Sequence, residues 1–117
     1  MNDSAAGIPA LEPGGIDDMI ARTPGLFVLD FWAPWCAPCR VLLTLLTELA
    51  PEFVGRVTMA KFNVDLDPAL SVAMGIRGVP TLIFYRSGVE VERLVGTESP
   101  AALRRRLERL VGEAKAD

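Results

Sequence analysis

A three-layer α/β sandwich around a central mixed sheet is the fold that this sequence predicts, on three observations. Apolar runs of strand length recur at residues 26–31, 57–64 and 81–85, separated by segments of helical length. A Ser87-Gly88 turn then joins the third run to a fourth at 89–95, which makes those two an antiparallel hairpin. The chain closes on an amphipathic helix whose apolar face needs a sheet to cover. Half of the 117 residues are hydrophobic, enough for one domain with its own core.

Met1 to Gly7 are small and polar and are expected to form a flexible lead-in, with the domain spanning 8–112 and a short tail over 113–117. Ile8 to Glu12 read as a short strand that Pro9 confines to a sheet edge. Ile16 to Arg22 read as a helix that stops before Pro24-Gly25. Leu26 to Phe31 form a buried strand, and Cys36 to about Val54 a long helix, with Pro51 in its last turns and Gly55 as its stop. Val57 to Val64 is the next strand, Pro68 to Met74 a short helix, and Thr81 to Tyr85 a third strand. After the hairpin to Val89–Val95, the last helix starts with Ser99 as N-cap and Pro100 at its first position. Leu103, Leu107, Leu110 and Val111 share one face of it, and Arg104, Arg105, Arg106 and Arg109 fall mostly on the other.

Twelve basic against fifteen acidic side chains leave a net charge of −3, which argues against a nucleic-acid or membrane surface. The arginine run therefore reads as a solvated helix face. With no histidine in the chain, serine–histidine and cysteine–histidine hydrolase chemistry is excluded. No basic segment followed by an apolar one opens the chain, and Asp30, Thr44 and Glu48 break its apolar runs too early for a membrane span. A cytoplasmic protein is expected, and in that reducing compartment a cysteine pair is more often catalytic than structural.

Both cysteines lie in Trp32-Ala33-Pro34-Trp35-Cys36-Ala37-Pro38-Cys39-Arg40, where the first buried strand turns into a helix. Residues at i and i+3 of a first helical turn are close enough to bridge. A structural zinc site needs four ligands, and this chain has two cysteines and no histidine, so no metal site is expected. A dithiol redox centre fits better. Cys36, at the electropositive helix start and after an exposed aromatic, suits the nucleophile; Cys39, one turn in, suits the resolving thiol. Asp30 stands alone in an apolar strand, where burial raises a carboxylate's pKa; it fits a base that takes the Cys39 proton through a water. Lys61, in Met59-Ala60-Lys61-Phe62, needs a carboxylate partner or an exit to water. Trp32 reads equally as a core aromatic beneath the loop and as a functional residue.

Residues Val28 to Cys39 strongly resemble the active-site region of the thioredoxin family. The match continues through Ala60-Lys61-Phe62-Asn63-Val64-Asp65, Gly75-Ile76-Arg77-Gly78-Val79-Pro80-Thr81, Ser87-Gly88 and Leu94-Val95-Gly96, and covers residues 8 to 112. The resemblance implies the thioredoxin fold, a redox-active Cys36–Cys39 disulfide, Asp30 as base for Cys39 with Lys61 nearby as its modulator, and a cis Pro80. A cis Pro80 leaves the Val79 backbone free to pair with an extended substrate, with Trp35, Gly78, Val79 and Gly96 as a flat docking surface. It further implies a monomeric protein-disulfide reductase with no bound cofactor, its electrons coming from NADPH through a thioredoxin reductase. An oxidase or isomerase, a binding subunit of a larger enzyme, and metal ligation across a dimer are the competing readings. Oxidising relatives often carry histidine between the cysteines, and this chain does not.

Two positions depart from the family. Ala37-Pro38 stands where thioredoxins usually have Gly-Pro, which bears on the reduction potential. Thr44 stands where they usually have a proline, which bears on the helix kink.

Overall fold

The computed structural model describes residues 7–116, with side chains to Glu113, so all but the last residue of the expected lead-in lies outside the described residues. Four strands, β1 (Leu26–Trp32), β2 (Val57–Asn63), β3 (Thr81–Arg86) and β4 (Val89–Val95), form one sheet in the order β2-β1-β3-β4. β1 runs parallel to β2 and antiparallel to β3, and β3 runs antiparallel to β4, so the sheet is mixed. Helices α1 (Ile16–Arg22), α2 (Ala37–Leu49), α3 (Pro68–Ala73) and α4 (Pro100–Ala116) cover its two faces. This is the thioredoxin fold that the resemblance implies.

β1 is central and buried on both sides, hence its nearly unbroken apolar run. Alternation sends Leu26 and Val28 to one face, against Leu42, Leu46 and Leu49 of α2 and the Leu103, Leu107, Leu110, Val111 stripe of α4. Phe27, Leu29 and Phe31 point the other way, against Ile16 of α1 and Leu70 of α3. Each leucine buried in this way contributes about 1.5–3 kcal/mol. The hairpin turns through Ser87 and Gly88 with both φ positive (52° and 86°), the two-residue turn that matches strand twist. Ser99 caps α4 by accepting the Ala102 N–H at 3.1 Å.

The expected edge strand at 8–12 is reduced to a single parallel bridge between Ala10 and Lys61. Leu11 N–H donates to the Lys61 carbonyl. The donor positions two residues to either side are Pro9 and Pro13, which have no N–H, so the ladder cannot extend. The long helix also ends early. α2 closes at Leu49 and the chain tightens into a 3₁₀ turn over Ala50–Phe53, because Pro51 cannot donate to the carbonyl one turn back. α4 continues to Ala116, through residues expected to be tail. Arginines of α4 meet carboxylates: Arg104 pairs with Glu52, Arg106 with Glu92 and Glu98, and Arg109 with Glu92.

Candidate active site

β1 delivers the chain to the turn at 33–35, and α2 begins at Ala37, which makes Cys36 the helix N-cap. Its sulfur accepts the Cys39 backbone N–H at 3.2 Å, the place a serine or aspartate oxygen fills at ordinary caps. An amide aimed at this sulfur, at the positive end of a helix, favours thiolate over thiol once the bridge is open. Cys36 and Cys39 are joined by a disulfide, their Cα atoms 5.2 Å apart. Ala33 and both cysteines form a buried cluster packed by Trp32, Val64 and Val79. Cys36 retains 6% of its surface and Cys39 none. Cys36 is thus more covered than its sequence position suggests, yet remains the more open of the two. Its Sγ lies 3.8 Å from the Val79 carbonyl oxygen.

Asp30 is fully buried, and neither carboxylate oxygen has a hydrogen-bond partner among the described residues. It shares a sheet face with Leu26 and Val28, the face covered by α2, and stands opposite Lys61 on β2. Burial pushes its pKa up to about 7, and the Lys61 charge holds it from going higher. The Lys61 ammonium also sits 5.4 Å from the centre of the Trp32 ring. Trp32 therefore joins the cysteine cluster on one side and the buried lysine on the other.

Beside the cysteines runs a groove of about 230 Å³, lined by Trp35, Val64, Asp65, Ile76, Gly78 and Val79 among others. Trp35 is 69% exposed, and its indole N–H donates to the Asp65 carboxylate at 3.1 Å. The Val79–Pro80 peptide is cis. Gly96 does not line the groove. It donates its N–H to the Pro80 carbonyl at 2.8 Å, and its φ of +92° is one that side chains rarely adopt. Sequence reasoning missed two residues. Asp65 orients Trp35 across thirty positions of sequence, a relation with no local signal beyond an acid just after a strand end. Arg40 folds back so that its guanidinium donates to the Pro34 carbonyl at 2.9 Å, tying down the loop before Cys36.

A family model for thioredoxin matches residues 10–109. The chain belongs to the thioredoxin family. It is 48% identical over 69 residues to a thioredoxin of Haemophilus influenzae, a match covering 59% of this chain and 64% of that protein. It is 33% identical over 95 residues to a chloroplastic M-type thioredoxin of Pisum sativum, covering 81% of this chain and 55% of the relative. The chain thus spans somewhat over half the length of these curated relatives. Among solved structures, a point-mutant thioredoxin from Halobacterium salinarum superposes with a TM-score of 0.79 at 32% identity, over 91% of this chain and 92% of that one.

The two departures from the usual thioredoxin pattern now have structural content. Thr44 Oγ donates to the Arg40 carbonyl at 3.0 Å, and α2 runs through this position without interruption to Leu49. Ala37 is the first helical residue, exposed, with an ordinary negative φ, so glycine is not required there. Pro38, also exposed, occupies the first turn, where its missing N–H costs nothing. Among the described residues no three Cys, Asp or Glu side chains group to hold a metal ion, and no helix is long and apolar enough to cross a membrane.

Proposed function

We propose that this member of the thioredoxin family is a general protein-disulfide reductase. The observation that carries the reading is the disulfide-linked Cys36–Cys39 pair at a helix start, with the Cys39 amide on the Cys36 sulfur and an open groove alongside. In the reduced protein the Cys36 thiolate attacks one sulfur of a substrate disulfide. A mixed disulfide forms, and the other substrate sulfur leaves as a thiolate that takes up a proton. Cys39 gives its proton, relayed through water, to Asp30 and attacks Cys36 Sγ. The second substrate thiol leaves, and the Cys36–Cys39 disulfide holds the two electrons' worth of oxidation. An acid with a pKa near 7 is suited to accept that proton at neutral pH, and Lys61 opposite keeps it from rising out of range. Trp35, Gly78 and Val79 line the groove that receives the substrate chain, and the adjoining Pro80 is held by the Gly96 N–H on its carbonyl.

In this reading the protein works as a monomer in the cytoplasm, binds no cofactor, and is recharged from NADPH by a thioredoxin reductase. Its partners are disulfide-containing proteins rather than nucleic acid or membrane, since Glu52, Glu92 and Glu98 neutralise much of the arginine face. The pea relative is chloroplastic, so cell fractionation checks the compartment. The function is tested by insulin-disulfide reduction coupled to NADPH and a thioredoxin reductase. Turnover that Cys36→Ser abolishes supports the reading; absence of turnover by the reduced wild type overturns it.

A further inference from the structure

β4 contains an irregularity whose effect reaches the groove. Opposite β3, Arg93 pairs with Ile83 and Glu92 with Phe84, but the next β3 residue, Tyr85, pairs with Glu90. Val91 is the extra residue of a bulge. In a regular strand, residues three apart point to opposite faces; the bulge turns Glu90 and Arg93 to the same one. That face is the α1/α3 side, where Ile83 and Tyr85 pack. Glu92, by contrast, faces α4 and its arginines.

On the α3 side the Glu90 carboxylate takes Nε and Nη2 of Arg93 as a fork, both at 2.9 Å. The fork fixes the guanidinium plane and leaves Nη1 to donate to the Gly75 carbonyl at 3.2 Å. Gly75 follows the end of α3 with φ +77°, and Nη1 would lie 3.3 Å from any Cβ placed there. Ile76 to Pro80, the stretch that borders the groove and approaches Cys36, begins at the next residue. Its far end is tied by Thr81 Oγ to the Gly78 carbonyl (2.7 Å) and by Gly96 N–H to the Pro80 carbonyl (2.8 Å). Arg93 ties the near end to the edge strand.

We propose that Arg93, locked by Glu90 across the Val91 bulge, is a positioning residue that braces the 76–80 loop for substrate docking. The proposal rests on the reductase reading for what docks, and on the geometry alone for the brace. A guanidinium is needed, because only it can satisfy a bidentate carboxylate and a carbonyl in one plane. Releasing the loop loosens the wall of the groove without touching either cysteine.

The test compares wild type with Arg93→Ala and Arg93→Lys by hydrogen exchange and by insulin reduction. Arg93→Ala should speed amide exchange at Gly75 and Ile76, whose N–H groups donate to the Val72 and Ser71 carbonyls, by up to about 10-fold, the factor set by one hydrogen bond of ordinary net strength. Exchange in residues 37–46 of α2 should stay as in wild type. KM for insulin should rise severalfold while kcat, the rate with a small disulfide such as oxidised glutathione, and the equilibrium with glutathione stay unchanged. Arg93→Lys, which cannot make the fork, should fall between the two. Unchanged exchange at Gly75 and Ile76, exchange that rises equally across the chain, or faster exchange at these two amides with an unchanged KM each overturns the brace. Wild-type protein that does not reduce insulin at all counts against the reductase reading, and exchange at Gly75 and Ile76 then judges the brace by itself.

Discussion

Asp30 and Lys61 stand opposite each other across the parallel β1–β2 pair, both on the sheet face that α2 covers. Their pairing gives the acid a charge partner without giving its oxygens a hydrogen bond, and desolvation wins: the Asp30 pKa rises to about 7 from 3.8. Below pH 4 the group is protonated in both folded and unfolded chains. Above that the unfolded chain releases the proton while the folded protein keeps it, so stability is lost as pH rises through about 7. A rise of this size sets a ceiling of about 4 kcal/mol on the loss. Asp30→Ala should flatten the decline and be more stable than wild type at pH 8 by roughly 1–3 kcal/mol, the lost carboxylate outweighing a small cavity. Denaturant melts of the oxidised proteins at pH 5 and pH 8 measure both. The same variant should reduce disulfides more slowly near neutral pH, because the proposed mechanism makes Asp30 the proton acceptor for Cys39.

The two cysteines should separate cleanly by substitution. Cys36→Ser removes the sulfur that the Cys39 amide faces and should abolish reduction. Cys39→Ser leaves an attacking thiolate with no resolving partner and should accumulate mixed disulfides on Cys36. Mass spectrometry after incubation with a disulfide substrate reads the adducts; stable adducts on Cys39 of the Cys36→Ser protein would reverse the roles.

Asp65 should matter through Trp35. The carboxylate holds an exposed indole as one wall of the groove. Asp65→Ala should free the ring, lowering its fluorescence anisotropy and raising KM for insulin by about 2–5-fold, the range of one partly solvated hydrogen bond. Asp65→Asn keeps an acceptor and should stay near wild type. An anisotropy unchanged in Asp65→Ala would show that the ring is held by packing alone.

What the sequence disclosed, and what it hid, divides by range. The α4 stripe, the Ser99 cap and the Ser87-Gly88 turn were legible because each is a local pattern of period, cap or φ. The site's first layer was legible for the same reason, with Cys36, Cys39 and Trp35 contiguous and Asp30 conspicuous in an apolar run. Register was not. That Asp30 faces Lys61 depends on how two parallel strands align across a long crossover, and alternation within one strand says nothing of it; only the family resemblance placed Lys61 near Asp30. The edge strand failed because the proline at 13, not only the one at 9, removes a ladder donor. The Val91 bulge was invisible in a stretch that reads as a regular strand, and with it the Glu90–Arg93 fork.

Ala37 is the position where this chain's potential should show its departure from other thioredoxins. The residue begins α2 with an ordinary φ, so alanine fits the disulfide form without strain. Glycine there would free the segment between the cysteines, a backbone effect of at most about 0.5–1 kcal/mol. For a two-electron couple that is roughly 10–20 mV, since about 30 mV equals 1.4 kcal/mol. Pro38 keeps the segment stiff in either case. The potential is therefore expected near the thioredoxin value of about −270 mV, far from the roughly −120 mV of a strong oxidant. Equilibration with glutathione, for wild type and Ala37→Gly, measures the potential and the shift together. A shift within about 20 mV, with both proteins below about −200 mV, agrees with a reductase. A wild-type potential above that limit would move the protein among the isomerases and oxidases, and Ala37→Gly would then show whether this residue is the cause.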